Sequence, residues 1–433
     1  MDASAEYIWT PPEFGLPHPP RCVASLRLDS DTSGPGNFAR SAKWCPDGSV
    51  SLVQLEHREF RMLVPPGAQN DTSGKVSVDL QHHTHFTNPA PILDYAWYPS
   101  ATLANPASYC FVTSVRETPV KLLDASDGRL RASYRIVDHR ERQIAPHSLA
   151  FNLPATRLYC GFEDAIEVFD VGRPGEGTRL LTTPSKKSKD GLKGIISALA
   201  FSPSYETDFY AAGSLTPTPG NIVMFSEADG AAPVLFVGGG PAAGVTQLRF
   251  NPMQPHIMYA AFRRRRAVYS WDLRADGGAP LKIFSTSPHV NEPPVSDTNQ
   301  KRQFDIDVAG RFLSVGDQEG RISVFDLTTE DRVVEDQDGV PVAAPCLTYS
   351  GHKDAIGAVA FHPSRPQLLT VSGSRHFHSS PPEESGSSED EFDEGRDQCD
   401  GTFQAGVRRA AVRPAPVPLD ASVTLWDFQS RSI

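Results

Sequence analysis

The sequence lacks the features that commit a chain to a membrane, to secretion or to a metal. No run approaches the roughly 18 apolar residues that a membrane-spanning helix needs. The first 20 residues show no basic start followed by an apolar stretch, so no secretory leader is visible and the protein is expected to stay inside the cell. Cys22, Cys45, Cys110, Cys160, Cys346 and Cys399 are scattered without a C-x-x-C pair, which argues against a zinc site or a disulfide framework and for reduced thiols. Also missing are G-x-S-x-G, H-E-x-x-H and a phosphate-binding glycine loop; Gly238-Gly239-Gly240 runs into Pro241 instead of a helix and reads as a turn. His82, His83 and His85 fall in a stretch that reads as a solvated polar linker. No catalytic set, metal site, cofactor, membrane contact or small-molecule substrate is therefore expected, and the chain is read as a non-enzyme.

Net charge is −11, from 41 basic and 52 acidic residues. The total hides a local excess: between Glu383 and Asp400 nine acids face a single arginine, a net −8. The remainder is close to neutral, so basic surfaces on it are allowed.

What the sequence does contain is a repeat. An aromatic or aliphatic residue followed by a turn recurs at Trp44-Cys45-Pro46-Asp47-Gly48, Trp97-Tyr98-Pro99, Phe151-Asn152, Phe201-Ser202-Pro203, Phe250-Asn251-Pro252, Ile306 to Gly310 and Phe361-His362-Pro363. The anchors are 53, 54, 50, 49, 56 and 55 residues apart. A strand of small residues follows each one, such as Tyr210-Ala211-Ala212-Gly213-Ser214. Next comes an apolar strand that usually ends in aromatic-Asp: Phe169-Asp170, Trp271-Asp272, Phe325-Asp326, Trp426-Asp427. Alternation as in Arg321-Ile322-Ser323-Val324-Phe325 reads as a strand with one buried face. Seven copies in one order predict an all-β, seven-bladed WD40 β-propeller. The seventh repeat ends near the end of the sequence, short of an outer strand, and Val23 to Leu28 is the expected donor. The expected organisation is a tail over residues 1–22 and a propeller over 23–433, interrupted at about 375–419 by an acidic, Ser- and Pro-rich insertion that is expected to be disordered. Gly351-His352 is the usual repeat-loop signature, and its histidine is expected to bond inside the blade, toward Ser372 and Trp426.

In such a blade the turn between the second and third strands and the connection to the next blade emerge on one face. Those loops carry Arg58, Arg116, Arg140, Arg142, Lys186, Lys187, Lys189, Lys193, Arg263, Arg264, Arg265, Arg266, Lys301, Arg302, Arg321 and Lys353. Four consecutive arginines in one turn are the sharpest feature, because guanidinium groups suit phosphate oxygens and stack on bases. Phe262 beside them and Phe162 in the matching loop of repeat three are candidate stacking platforms. The candidate RNA-binding set is Arg263–Arg266, Arg116, Lys186, Lys187, Lys189, Arg302, Arg321, Phe162 and Phe262. The same clusters suit a protein-binding adaptor that grips an acidic or phosphorylated peptide.

Several stretches together resemble the telomerase Cajal body protein family. They include Ser41-Ala42-Lys43-Trp44-Cys45-Pro46-Asp47-Gly48, Leu93-Asp94-Tyr95-Ala96-Trp97-Tyr98, Ser114-Val115-Arg116-Glu117-Thr118-Pro119-Val120, Asp127-Gly128-Arg129-Leu130, Gly194-Ile195-Ile196-Ser197-Ala198-Leu199-Ala200-Phe201 and Ser270-Trp271-Asp272-Leu273-Arg274, within a span from about Asn37 to Leu327. The resemblance implies a scaffold that recognises a short localisation box in a hairpin loop of box H/ACA-type small Cajal-body RNAs and of telomerase RNA. It further implies partnership with H/ACA ribonucleoprotein proteins and the telomerase holoenzyme. The implied location is nuclear, in Cajal bodies or an equivalent body, with a cytoplasmic share allowed.

Overall fold

The computed structural model describes residues 10–28, 36–66, 78–185, 187–188, 190–275, 277–287, 299–329, 334–377 and 417–429. Among them there is no helix, and so none long and apolar enough to cross a membrane. The strands form seven separate sheets, as expected of a seven-bladed propeller.

From the axis outward, blade one is Ala39–Trp44, Ser51–Leu55, Glu59–Val64 and Gln81–Thr87; blade two is Ile92–Trp97, Cys110–Val115, Val120–Asp124 and Leu130–Tyr134. Blade three is Ser148–Phe151, Arg157–Phe162, Ala165–Asp170 and Thr178–Leu181; blade four is Ile196–Phe201, Phe209–Ser214, Ile222–Ser226 and Pro233–Val237. Blade five is Val245–Phe250, Ile257–Phe262, Ala267–Asp272 and Lys282–Ser285; blade six is Asp305–Ile306, Phe312–Gly316, Arg321–Asp326 and Leu347–Ser350. Blade seven takes Ile356–Phe361, Gln367–Ser372 and Ser422–Asp427 from one part of the chain and Arg21–Arg27 from another. The stretch read as a polar histidine linker is instead the outer strand of blade one, paired antiparallel with Glu59–Val64. Outer strands face solvent on one side, so their polar alternation resembles a loop.

Second strands are buried along most of their length on both faces, because a blade is pressed between two neighbours; this explains small residues in Phe209–Ser214 and in Ile257–Phe262. In blades two, three, five and six the third strand ends at an aspartate whose side chain turns the chain. Asp124 accepts the Ser126 N–H, Asp170 the Gly172 N–H, Asp272 the Arg274 N–H and Asp326 the Thr328 N–H, each at 2.8–3.0 Å. The recurrent aspartate is thus a turn former.

Seven apolar clusters fill the seven seams, one between each pair of neighbouring blades. The inner strands are also stapled by hydrogen bonds. Trp97 Nε1 donates to the Lys43 carbonyl (3.1 Å), Leu149 N to Asp94 Oδ2 (2.8 Å), Ser148 Oγ to the Ile196 carbonyl (2.8 Å) and Ser197 Oγ to the Val245 carbonyl (2.6 Å). Gln247 Nε2 donates to the Phe304 carbonyl (2.9 Å), Phe361 N to Asp305 Oδ2 (2.8 Å) and Trp44 Nε1 to the Ala360 carbonyl (3.0 Å). Every seam therefore has both an apolar core and a directional link.

The closing seam is the most composite. Arg21–Arg27 runs antiparallel to Ser422–Asp427, beginning two residues before the expected donor. Upstream of it Phe14 packs edge-on against Phe312, Phe361 and Phe428 at 5.2–5.7 Å, and Gly15 N donates to the Phe428 carbonyl at 2.9 Å, so residues 14–16 belong to the seam between blades six and seven. On the seam between blades seven and one, buried His362 lies edge-on to Trp44. Its Nδ1 accepts the Ser364 N–H (3.1 Å) and its Nε2 donates to the Gly48 carbonyl (3.0 Å), which sets the neutral tautomer.

Two outcomes are expected. Deleting residues 1–30 should lower the melting temperature sharply, whereas Phe14→Ala, which removes one half-buried ring, should cost about 2 kcal/mol by chemical denaturation; an unchanged melting temperature after the deletion would refute strand closure. The second concerns pH. Burial, with Arg365 nearby, pulls His362 down to about 4. The unfolded chain takes up this proton near pH 6.5 and the folded one does not, so stability present above pH 6.5 is lost as pH falls toward 4, by at most about 1.4 kcal/mol per pH unit. Denaturant midpoints at pH 7, 6 and 5 should fall less steeply in His362→Gln than in the parent, and parallel slopes would contradict this role.

Candidate functional site

In a four-stranded antiparallel blade the second turn and the exit toward the next blade lie at one end, so seven such turns and seven connections share one face of the ring. Five of the second turns, in blades one, two, three, five and six, are tight. Within them Arg58, Glu117, Asp164 and Arg264 have φ of 66°, 61°, 59° and 60°, in the left-handed region where side chains are uncommon, and Gly320 of the blade-six turn has φ 81°.

The arginine run is the turn of blade five. Arg265 N donates to the Phe262 carbonyl (3.2 Å) and Arg263 N to the Gly244 carbonyl (2.7 Å), which tie the turn to its own blade and to the preceding connection. Arg263 and Arg264 are exposed, Arg265 and Arg266 half-buried. Arg264 Nε donates to Asn299 Oδ1 (2.8 Å), and Arg266 pairs with Glu319 of blade six (2.9 Å). Arg302 lies half-buried beneath, donating from Nη2 to the Arg265 carbonyl at 2.5 Å, and its burial lowers its basicity. Arg321 is held by Asp317 at 2.7 Å and reaches Glu319 at 3.4 Å. Among the described residues, six guanidinium groups therefore meet two carboxylates where blades five and six adjoin. Among the described residues Arg263 has no side-chain partner.

Other candidates are dispersed. Arg116 is exposed in the turn of blade two, Arg58 donates to the Pro89 carbonyl (2.9 Å), and Arg142 pairs with Asp138 (2.8 Å). Lys187 is exposed; Lys186 and Lys189 lie outside the described residues. The two aromatic platforms need correction. Phe162 and Phe262 are each only 4% exposed. Phe262 ends the second strand of blade five and packs with Tyr269 and Trp271, while the guanidinium of Arg179 lies 5.2 Å from the centre of the Phe162 ring. Both rings are core, and neither offers a face to a base.

On the axis, a channel cavity of about 460 Å³ is lined by Lys43, Asp94, Ser148, Ser197, Gln247, Arg249, Lys301, Gln303 and Asp305 among others. Lys43 pairs with Asp94 (3.3 Å) and Arg249 with Asp305 (2.5 Å); burial raises the Asp305 carboxyl against the opposing pull of Arg249. Sequence reading placed Lys301 among the cations of the face and missed the other channel residues, although one signal was present. The position before each anchor is alanine in blades two, three, four and seven (Ala96, Ala150, Ala200, Ala360) but Lys43, Arg249 and Asp305 in blades one, five and six.

Buried His352 sits between Thr370 Oγ1 (2.7 Å from Nε2) and Ser422 Oγ (2.9 Å from Nδ1), with Asp420 at 3.7 Å; Trp426 Nε1 donates to Thr370 Oγ1 at 2.8 Å. The hydroxyl between histidine and tryptophan is thus that of Thr370, with Ser372 one step behind at 3.2 Å from Ser422. The expected insertion lies outside the described residues from 378 to 416. Its flanks, His376 and Val417, pair on the face of the arginines. There Asp354 accepts from Ser374 Oγ (2.6 Å) and Leu419 N (2.8 Å) and lies 2.9 Å from His376 Nε2, and Arg375 Nε donates to Glu56 Oε1 (2.7 Å). Among the described residues no group of three His, Cys, Asp or Glu side chains is placed to hold a metal.

No family model matches the chain. Curated relatives do. Telomerase Cajal body protein 1 of Bos taurus is 34% identical over 358 residues, spanning 82% of this chain and 61% of that protein. The Homo sapiens protein of the same name is 33% identical over 359 residues, 83% of this chain and 60% of the relative. The Drosophila melanogaster homologue is 27% identical over 356 residues, 79% and 58%. The chain thus spans about three-fifths of the length of these relatives. With seven blades and this span of likeness, the chain belongs to the telomerase Cajal body protein family.

Proposed function

We propose that this WD-repeat scaffold binds RNA through the arginine-rich face, recognising the hairpin loop of box H/ACA-type small Cajal-body RNAs and of telomerase RNA, and so brings the particle and its proteins to a nuclear body. The observation that carries the reading is the blade-five turn: four adjacent arginines, two of them exposed, rigidly tied to two blades in a member of a family named for telomerase and Cajal bodies. A hairpin loop offers unstacked bases and phosphates at once. With Phe162 and Phe262 in the core, stacking falls to guanidinium planes, which also bind phosphate in a bidentate manner. The ring's rigidity supports recognition because little ordering is left to be done on binding.

A protein-binding adaptor is the second reading, and one observation favours it. Leu103, Tyr205 and Met253 are 55%, 82% and 67% exposed in turns at the end of the ring opposite the arginines. Crosslinking followed by RNA sequencing from cells separates the readings: enriched H/ACA-type hairpins support the first, and protein partners without RNA support the second.

In vitro, replacing Arg263–Arg266 by four glutamates should weaken binding of a boxed hairpin at least 100-fold and flatten the salt dependence by about 0.7 per lost phosphate contact. Arg264→Gly relieves a left-handed residue, so its melting temperature should hold or rise while affinity falls several-fold. Retained affinity in the quadruple variant would clear this turn.

A further inference from the structure

Among the described residues, one cation in the channel has no carboxylate paired with it. Five charged side chains line it, and four are mutually paired as Lys43 with Asp94 and Arg249 with Asp305. Both Asp94 oxygens are in use, since Oδ1 also accepts the Tyr95 N–H and Oδ2 the Leu149 N–H. The fifth is Lys301, which has no hydrogen-bond or ion-pair partner among the described residues.

Lys301 is held inward by its neighbours. Gln300 Nε2 donates to the Gly373 carbonyl of blade seven (2.8 Å), Arg302 Nη2 to the Arg265 carbonyl of blade five (2.5 Å) and Gln303 N to the Gly357 carbonyl of blade seven (2.9 Å). This strut crosses the arginine-rich end of the ring and sets a half-buried ammonium at the channel mouth. Burial lowers its basicity, Lys43 and Arg40 lower it further, and Asp94 opposes them. His147 is lowered by burial and then by Lys301 and Arg116. The mouth is cationic, and the cavity behind it is larger than one phosphate.

We propose that the channel mouth is a phosphate-binding site, with Lys301 as its central ligand and Lys43, Arg116 and Arg40, itself paired with Glu56 (3.5 Å), around it. The shared chemistry is a phosphate ester or anhydride entering from the arginine-rich end, supplied by a free organic phosphate or by the terminal phosphate of an RNA strand. The site stands on the channel geometry alone and does not depend on the RNA reading. An anion there neutralises the channel cation that has no partner among the described residues and links ligand binding to stability.

The test uses the full chain, with sodium pyrophosphate as probe and sodium chloride at equal ionic strength as control. Pyrophosphate should raise the melting temperature saturably, by several degrees, beyond the chloride control. Lys301→Met should match or exceed the parent's melting temperature without anion and lose the pyrophosphate response, while Arg116→Gln, at an exposed turn, should weaken the apparent affinity several-fold. A short 5′-phosphorylated RNA that competes with pyrophosphate, where its 5′-hydroxyl counterpart does not, assigns the site to a strand end; competition by neither assigns it to a free phosphate. No response beyond chloride, or a full response in Lys301→Met, overturns the proposal. Should Lys301→Met fail to fold, an unchanged affinity in Arg116→Gln overturns it instead.

Discussion

Antiparallel pairing of Arg21–Arg27 with Ser422–Asp427 is the contact on which the rest of the molecule depends. A row of blades would leave two long sheet faces and two open edges in water; joining first to last turns every blade face into an interior surface. The benefit spreads around the ring. Each seam packs an apolar cluster against both its blades, so no blade has a complete core alone. His362, Trp44 and the Phe14 segment gather at the two seams beside the closing strand.

Closure also explains why the chemistry sits where it does. Turns separated by some fifty residues in sequence are brought to one end of the ring, and strained positions such as Arg58 and Arg264 are tolerated because the strands on either side are locked by neighbouring blades. Charge at that end is partly internal: Arg266, Arg321 and Arg302 spend much of their hydrogen-bonding capacity on blade six and on the arginine turn itself. Among the described residues the groups left to a partner include Arg263 and, across the axis, Arg116, with Lys301 between the blades and facing the channel.

Much of the architecture was legible because the same packing problem recurs in each blade. A bulky anchor, a strand of small residues and an aromatic-Asp ending are demanded wherever a strand is squeezed between two blades and must then turn, so the seven copies and the donor strand could be read off. Directions of single side chains could not. Phe262 adjoins four charged residues, yet it ends a strand whose pleat aims it at Trp271. Thr370 and Ser372 share one face of one strand, and only the reach of His352 decides between them. Lys301 belongs to a segment outside the repeat, where no periodicity says what it faces. His82 to His85 hid an outer strand, since a strand with a wet face need not look apolar.

We propose that loops gathered by closure make one cationic face for RNA. Ultraviolet crosslinking of the full chain to a boxed H/ACA-type hairpin, with crosslinked peptides located by mass spectrometry, tests it most directly. Crosslinks should concentrate in residues 262–267 and 299–303 and extend to the turn at Arg116. Crosslinks confined to the opposite turns, around Leu103, Tyr205 and Met253, or absent at saturating RNA, would contradict it.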